Sequence, residues 1–344
     1  MARTTRPRPL ISGESHARAL LGLLGWLYVV AFLGLSLQQA IVPRSDGTLA
    51  LLQVVAPYLF VLLPLLLVMA PRRGGTGLRL VAAACIVVWA VRFAPRMHIP
   101  AGGPAPTAQQ LTVMTWNVDY ENQRPAAIRE ALLATPASVV ALQEAYANQI
   151  VEDAAIARRY PYRLPTGPLL GNGTVLLSAH PFAATGPTYD DYPQVLWARI
   201  DLGRGRTITV ATAHPLPAEL RSCSTRSALC YDPSVRDDQI GEVRQEVGPL
   251  IDAGGPVLLM GDFNVTDREP AYRALTQGLR DSAAVVGSAW QPTWMPFLPY
   301  RAQIPMLRID YLLASPNLRP LSVSVDCTRR GSDHCSVRGT FAIL

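Results

Sequence analysis

The sequence contains no lysine, so every formal positive side-chain charge is an arginine. Beside abundant Ala, Gly and Pro, that absence reads as base composition and carries no functional signal of its own. Charge is scarce overall, at 16% of residues, and it is unevenly placed. Residues 1–110 hold ten Arg against Glu14 and Asp46, whereas residues 111–344 hold 21 Arg against 23 acids. The net charge of +6 therefore belongs to the apolar N-terminal part, and the rest of the chain is faintly acidic. With no basic stripe there, a strong sequence-independent grip on phosphate backbones is not expected. Cysteine is sparse as well. Cys85 lies in an apolar run, and Cys223, Cys230, Cys327 and Cys335 fall in the C-terminal part. Four Cys allow three pairings, and short separations favour 223 with 230 and 327 with 335. If they are paired, the compartment is oxidising.

Three stretches lack charge almost entirely. Residues 17–37 contain only Arg18, and residues 49–70 contain none. Each is long enough to cross a hydrocarbon core of roughly 30 Å, which takes about 20 residues. Pro57 and Pro64 fall in the second, a placement that neighbouring membrane helices can accommodate. The third, 78–93, leaves roughly 18 Å of helix between Arg79 and Arg92, so as a span it needs both arginines to snorkel. Its continuous apolarity on every face favours a span over a surface helix. With three spans and an inside N-terminus, Arg3, Arg6, Arg8, Arg18, Arg72, Arg73 and Arg79 are cytoplasmic, Arg44, Arg92 and Arg96 are outside and so is the C-terminal domain; a two-span hairpin with an interfacial third helix puts even more Arg inside, so the count alone does not decide. The expected organisation is a multi-pass membrane region over 1–94, a Pro/Gly/Ala-rich linker over 95–110 that holds the next domain near the bilayer, and an extracytoplasmic domain over 111–344.

From residue 111, short apolar runs alternate with helical segments. "LTVMTWNV", "SVVALQEA", "GTVLLS", "PVLLMGDF", "RIDYLLAS" and "CSVRGTFAIL" read as strands. "PAAIREALLA" reads as a helix with Pro at its start, and "VLWARIDLGRGRTITVATAH" as a hairpin. "DPSVRDDQIGEVRQEVGPLIDAGG" reads as a helix capped by Asp232, with Pro233 first inside and Gly254-Gly255 as the stop. The hairpin excludes a purely parallel doubly wound sheet.

Polar residues stand where these strands end. Asn117 ends the first, Glu144 the second, His214 the return of the hairpin, and Asp262 and Asn264 the next; Asp310 interrupts an apolar run, and Asp333-His334 precede the last strand. Ligands meet an α/β sheet at strand ends and adjoining loops. A hard cation such as Mg²⁺ takes oxygen ligands and keeps several waters, so Asn117 and Glu144 would suffice if substrate phosphate supplies the rest. Moving phosphorus to water then needs an oriented nucleophile and donors to the non-bridging oxygens. Asp262 could orient the water, Asn264 hold a phosphate oxygen, and His214 and His334 donate, with Asp310 fixing the tautomer of His334.

In their order, "TWNVDYEN", "VVALQE", "TAHP", "GDFN", "RIDYLL" and "SDH" resemble the signature blocks of the endonuclease/exonuclease/phosphatase superfamily, the pancreatic-deoxyribonuclease-like fold. The resemblance implies a two-sheet α/β sandwich, preceded here by the transmembrane region, and Mg²⁺-dependent cleavage of phosphate esters, with Mn²⁺ as the alternative ion. It implies Asn117 and Glu144 as metal ligands with Asp333 near the metal, His214 as a phosphate contact, Asp262 as the water-orienting acid and Asn264 as its phosphate-binding partner. Asp310 and His334 form the implied Asp–His pair. Arg236 and Gln239 in "RDDQ" resemble a family helix pattern, and Asn122 and Arg236 are the implied substrate contacts. Two departures stand out: no basic and aromatic insertion for gripping duplex DNA, and Pro215 directly after His214. Cys335 adjoins the "SDH" block, so a bond to Cys327 would brace the loop carrying His334.

Between the last blocks, "WQPTWMPFLPYRAQIPMLR" mixes Trp, Met, Phe, Leu and Ile with four prolines, which suits neither helix nor long strand. It reads either as a loop packed on its own domain or as an apolar lip facing the membrane. A tethered domain with such a lip points to a lipid-linked phosphate or pyrophosphate, or a phospholipid diester, as substrate, with the lipid bilayer itself as partner. The plan of three apolar segments before such a domain is similar to VanJ-type teicoplanin-resistance membrane proteins. A nuclease for DNA or RNA ranks behind this reading, a catalytically idle scaffold last, and the oligomeric state is left open.

Overall fold

The computed structural model describes residues 13–60, 76–93, 109–121, 124–146, 149–150, 152–166, 172–188, 191–222, 229–289, 291–295, 304–328 and 330–344. The chain separates into two compact units, Met1–Arg44 with Leu52–Ala94, and Ser45–Leu51 with Pro95–Leu344.

In the N-terminal unit, helix α1 (Gly13–Ile41) and helix α3 (Thr76–Phe93) pack through Val29, Phe32, Leu78, Ala82 and Cys85. Arg92 donates to the Ser36 carbonyl at 2.7 Å, which gives its guanidinium a partner on a largely apolar helix. Gly22–Ile41 and Thr76–Phe93 are long and apolar enough to cross a membrane. The stretch 49–70 departs from the single helix expected of it. Helix α2 (Gly47–Val54) gives way to a 3₁₀ segment, Ala56–Phe60, that contains Pro57, whose missing N–H cannot continue an α-helical ladder. Residues 61–70 lie outside the described set.

The C-terminal unit is built on two six-stranded sheets. One runs β13-β14-β1-β2-β4-β3, with β1 (Gln110–Asn117), β2 (Val139–Tyr146), β3 (Tyr162–Pro165), β4 (Asn172–Ser178), β13 (Leu318–Asp326) and β14 (Ser336–Ile343). The other runs β11-β12-β10-β7-β6-β5, with β5 (Phe182–Thr185), β6 (Leu196–Asp201), β7 (Thr207–Ala213), β10 (Val257–Asp262), β11 (Arg280–Asp281) and β12 (Asp310–Ala314). Each has one parallel pair at its centre, β1 with β2 and β7 with β10, flanked by antiparallel strands. Parallel neighbours need a crossover, and each pair has a helix between its strands: α4 (Pro125–Ala134) for the first and α6 (Ser234–Asp252) for the second. A short hairpin, β8 (Glu219–Ser222) with β9 (Leu229–Asp232), lies between β7 and α6.

Three apolar layers follow from the alternation of side chains along the strands. Val113, Val139, Ala141, Leu176, Val210, Leu258, Met260, Leu312 and Phe341 fill the space between the sheets. Met114, Trp116, Val140 and Leu142 face Ile128 and Leu132 of α4, and Ala211, Leu259 and Leu313 face Ile240, Val243 and Val247 of α6. The two-sheet sandwich implied by the resemblance is thus present. Helix α6 begins one residue later than expected: Pro233 is its N-cap, and Asp232 serves from outside by accepting from the Ser234 N–H at 3.2 Å. Gly254, at φ 77°, ends the helix as expected of a C-terminal glycine. Cys327 and Cys335 form a disulfide; Cys230 is also disulfide-bonded, and residue 223 is outside the described set.

Candidate active site

The C-terminal ends of the two parallel pairs carry the polar residues into one cleft. Asn117, at the end of β1, donates its carboxamide to Glu144 Oε1 at 2.8 Å and to Asp262 Oδ2 at 3.0 Å, and so joins the two sheets. Behind it, Gln143 on β2 donates to Thr212 on β7 at 3.1 Å, a second polar tie across the sandwich. Glu144 lies in an irregularity of β2 between Leu142 and Ala145 and has φ 54°; a bulge of this kind re-aims a side chain. Gly261 is required before Asp262 because a Cβ there would stand 2.3 Å from the Ala213 carbonyl oxygen of the neighbouring strand.

Asp262 is 1% exposed, and its Oδ2 lies 3.7 Å from His214 Nε2 and 3.6 Å from His334 Nε2. His214 Nε2 is also 3.5 Å from Glu144 Oε1. These separations exceed good hydrogen-bond lengths, so the imidazoles converge on the carboxylates without being saturated by them. Burial pushes the Asp262 carboxyl up to about 6; the nearby His334 and His214 and the Asn117 amide oppose the shift, and Asp310 adds to it. Such a group sits near the range suited to accepting a proton at neutral pH.

His334 Nδ1 meets Asp310 Oδ2 at 2.9 Å, the Asp–His pair implied by the sequence. Burial alone would lower this imidazole, but the carboxylates of Asp310 and Asp262 outweigh it and raise it to about 10. When protonated, the ring holds one N–H against Asp310 and turns the other nitrogen toward Asp262. His214, by contrast, is pushed down by burial, against the pull of Asp262 and Glu144. Among the described residues its Nδ1 has no hydrogen-bond partner, and the Tyr192 ring meets it edge-on at 5.5 Å.

A divalent cation would find its ligands on the open side. Glu144 and Asp333 side chains are 21% and 20% exposed, against 1% for Asp262. Asp119, held above the usual carboxylate range by burial and by the negative charges of Asp333 and Glu144, stands with them. These three carboxylates offer the oxygen chemistry a hard ion takes, beside the Asn117 carboxamide, although their ligand atoms do not all lie within 4.8 Å of one another. Asp262, Asp310 and His334 also lie mutually within 4.8 Å, but their approach is already bridged by an imidazole proton, which marks a proton-handling group rather than a cation cage.

Asn264, at φ 51°, keeps its N–H on Asp262 Oδ1 at 2.9 Å and gives one amide N–H to the Pro215 carbonyl at 3.0 Å. Asn tolerates this left-handed conformation better than most residues. The structure thus brings Asn117, Glu144, His214, Asp262, Asp310, His334 and Asp333 together, with Asn264 at their edge. Arg236 stands elsewhere. It is 1% exposed, and its guanidinium is taken up by Asp237, Glu269, the Tyr231 hydroxyl and the Asn264 carbonyl, so it braces the site from behind and does not face a substrate. Asn122 lies outside the described residues.

Several contributors do not stand at the end of a strand. Asp119 repeats, two residues after Asn117, the spacing of Asp262 and Asn264, a signal that was there to use. Ser332 donates to the Asn117 carbonyl at 2.7 Å and accepts from the His334 N–H at 2.9 Å. Thr293 Oγ1 accepts from the Ile309 and Asp310 N–H groups, and its carbonyl accepts from Cys335 N–H at 2.7 Å, so one residue ties both halves of the Asp–His pair. Trp294 donates its indole N–H to Asp333 at 2.8 Å. Of the Pro-rich stretch 290–308, positions 290 and 296–303 lie outside the described set; Met295 is buried and Ile304 exposed.

No curated protein matches the sequence. Among solved structures, TDP2 of D. rerio complexed with a single-strand DNA product is similar at 21% identity over 68% of this chain and 99% of that one, with a TM-score of 0.52. The mannosyl-6-phosphatase Bt3783 of Bacteroides thetaiotaomicron VPI-5482 is similar at 17% identity over 68% and 100%, with a TM-score of 0.51. A functionally unknown conserved protein of Enterococcus faecalis V583 is similar at 18% identity over 68% and 100%, with a TM-score of 0.53. At these identities the likeness speaks for the fold. Residues 114–334, which carry every strand-end residue of the cleft, match the Endonuclease/Exonuclease/phosphatase family, and the chain belongs to it.

Proposed function

We propose that the protein is a membrane-anchored, outward-facing, Mg²⁺-dependent phosphohydrolase acting on a lipid-linked phosphate or pyrophosphate, or on a phospholipid. The observation that carries the hydrolytic part is the approach of a buried carboxylate, Asp262, to within 3.6 Å of the His334 imidazole, whose other nitrogen is bonded to Asp310, beside the more open carboxylates of Glu144 and Asp333. Asp262 orients a water and takes its proton as the oxygen attacks phosphorus, the P–O bond to the leaving group breaks as the new one forms, and the departing oxygen takes a proton from solvent water. His334 and Asn264 donate to the phosphoryl oxygens as charge builds on them, and Asp310 keeps the His334 ring in its donating orientation. Glu144, Asp333, Asp119 and Asn117 would hold the ion, which supplies neutralisation of phosphate charge.

The lipid and membrane parts rest on three supports. Two N-terminal helices have the length and apolarity of spans. The disulfides favour an oxidising side of the membrane. The faintly acidic C-terminal part disfavours a polyanion as ligand. The test is hydrolysis by the full chain in detergent with Mg²⁺, compared across a polyprenyl pyrophosphate, phospholipids, a sugar phosphate, inositol phosphates and single-stranded DNA. Preference for the lipid-linked substrates is expected; preference for DNA that falls steeply with salt would replace this reading with a nuclease.

A further inference from the structure

Arg236 and Gln239 are three residues apart on α6, so they share a helix face, and both are buried. Arg236 Nη1 donates to the Asn264 carbonyl at 2.9 Å and to the Tyr231 hydroxyl at 2.6 Å, and lies 2.7 Å from Glu269 Oε2. Its Nε and Nη2 both donate to Asp237 Oδ1, at 2.9 and 2.6 Å. Gln239 Oε1 accepts from the Leu216 N–H at 2.7 Å. Asn264, in turn, donates its carboxamide to the Pro215 carbonyl at 3.0 Å. These contacts close a circuit: α6 grips Asn264 through Arg236 and the segment after His214 through Gln239, and the two gripped segments are bonded to each other. Pro215 has no N–H, so the segment it interrupts is fixed through its carbonyl and the Leu216 N–H.

We infer that Arg236 is a positioning residue, which with Gln239 holds the two segments carrying Asn264 and His214 at the spacing a phosphoryl group needs. This rests on the phosphohydrolase reading for its purpose, and on the hydrogen-bond circuit for its geometry. A guanidinium with a planar fork is needed because one group must serve Asp237 along one edge and Asn264, Tyr231 and Glu269 along the other; an ammonium cannot do both. One side-chain N–H of Asn264 is occupied by Pro215, which leaves the second directed by the same constraint.

The test compares Arg236→Lys in wild type and in an Asn264→Ala background, with the full chain in detergent. In wild type, kcat falls about 10-fold with KM within about 2-fold; in Asn264→Ala the same change lowers kcat less than about 2-fold, because the group being positioned is gone. Equal losses in both backgrounds would assign Arg236 to folding alone and overturn the inference. Amide hydrogen exchange supplies a readout independent of hydrolysis: the Asn264 N–H exchanges at least about 10-fold faster in Arg236→Lys while β1 and β2 keep their protection. Unchanged exchange at Asn264 would overturn the inference even if the enzyme is active. A wild-type chain inactive on every substrate, with faster exchange at Asn264, would refute the phosphohydrolase reading and leave this one standing. Should Arg236→Lys fail to fold, Gln239→Met and Gln239→Glu take its place. The first loses turnover and Leu216 protection, and the second, which keeps the acceptor oxygen, restores both; loss in neither would refute the circuit.

Discussion

The two sheets are built alike and equipped differently. Each centres on a parallel pair with a helix between its strands in the chain, and each pair ends in polar residues at the same edge of the sandwich. The first sheet delivers Asn117 and Glu144, and the turn before its β14 delivers Asp333 and His334. The second delivers His214, Asp262 and Asp310. Neither set is sufficient alone: His334 of one finds its carboxylate partner Asp310 in the other, and Asn117 of one bonds Asp262 of the other. Exposure separates the two contributions. Glu144 and Asp333 are partly open to solvent, as the ion-binding role proposed for them requires, whereas Asp262 and Asp310 are buried, which is what moves Asp262 upward. The scaffold fixes where side chains meet; burial decides what each can do there.

That division can be broken first at Asp262. Asp262→Asn is isosteric and removes the proton acceptor, so turnover should fall about 10³-fold with Mg²⁺ half-saturation unchanged, as followed by initial rates across a metal titration. Glu144→Gln should do the opposite in kind: half-saturation by Mg²⁺ rises by about 10-fold or more, with part of the turnover recovered at high metal. If the two substitutions give the same profile, the assignment of one sheet to the ion and the other to the nucleophile is wrong.

How much of this could be read from residue order differs between the same two layers. Strand-end residues were legible because an apolar run marks where a strand stops, and Asn117, Glu144, His214 and Asp262 each close such a run. Helix α4 was legible from Pro125 to Ala134, since Pro at the first position and Ile128 and Leu132 four apart leave little choice. Strand β13 was missed because Pro320 argues against a strand; the structure places it at a sheet edge with an irregularity beside that proline, where a missing N–H is tolerated. The hairpin β8–β9 was missed because its strands are four residues each and mostly solvated. Arg236 lies on the expected helix, but the substrate contact implied for it is replaced by buried acidic partners. A sequence shows that an arginine is present, and only the fold shows that Glu269 and Asp237 have already claimed it.

Smaller effects sharpen the contrast further. The Cys327–Cys335 bond closes a short loop around Ser332, Asp333 and His334, and nothing comparable braces the described residues around Asp262. Replacing both with Ser should cost about 2.5 kcal/mol of stability by loss of loop constraint, measured by denaturant unfolding, and should lower turnover through His334. Unchanged stability would mean that Thr293 and Ser332 hold the loop unaided. The smallest effect belongs to a residue remote from both sets. Asp153 caps α5 (Ala154–Arg159) by accepting from the Ala155 and Ile156 N–H groups, so Asp153→Ala should cost about 1 kcal/mol and leave hydrolysis and metal dependence as they were.

The most direct test of the shared cleft is the rate of Mg²⁺-supported phosphate-ester hydrolysis by Glu144→Gln, Asp262→Asn and the double variant. Groups acting on one phosphorus are grossly non-additive, so the double variant should be scarcely slower than Asp262→Asn alone. Losses that multiply, or a wild-type rate in either single variant, would show that the two sheets do not serve one reaction.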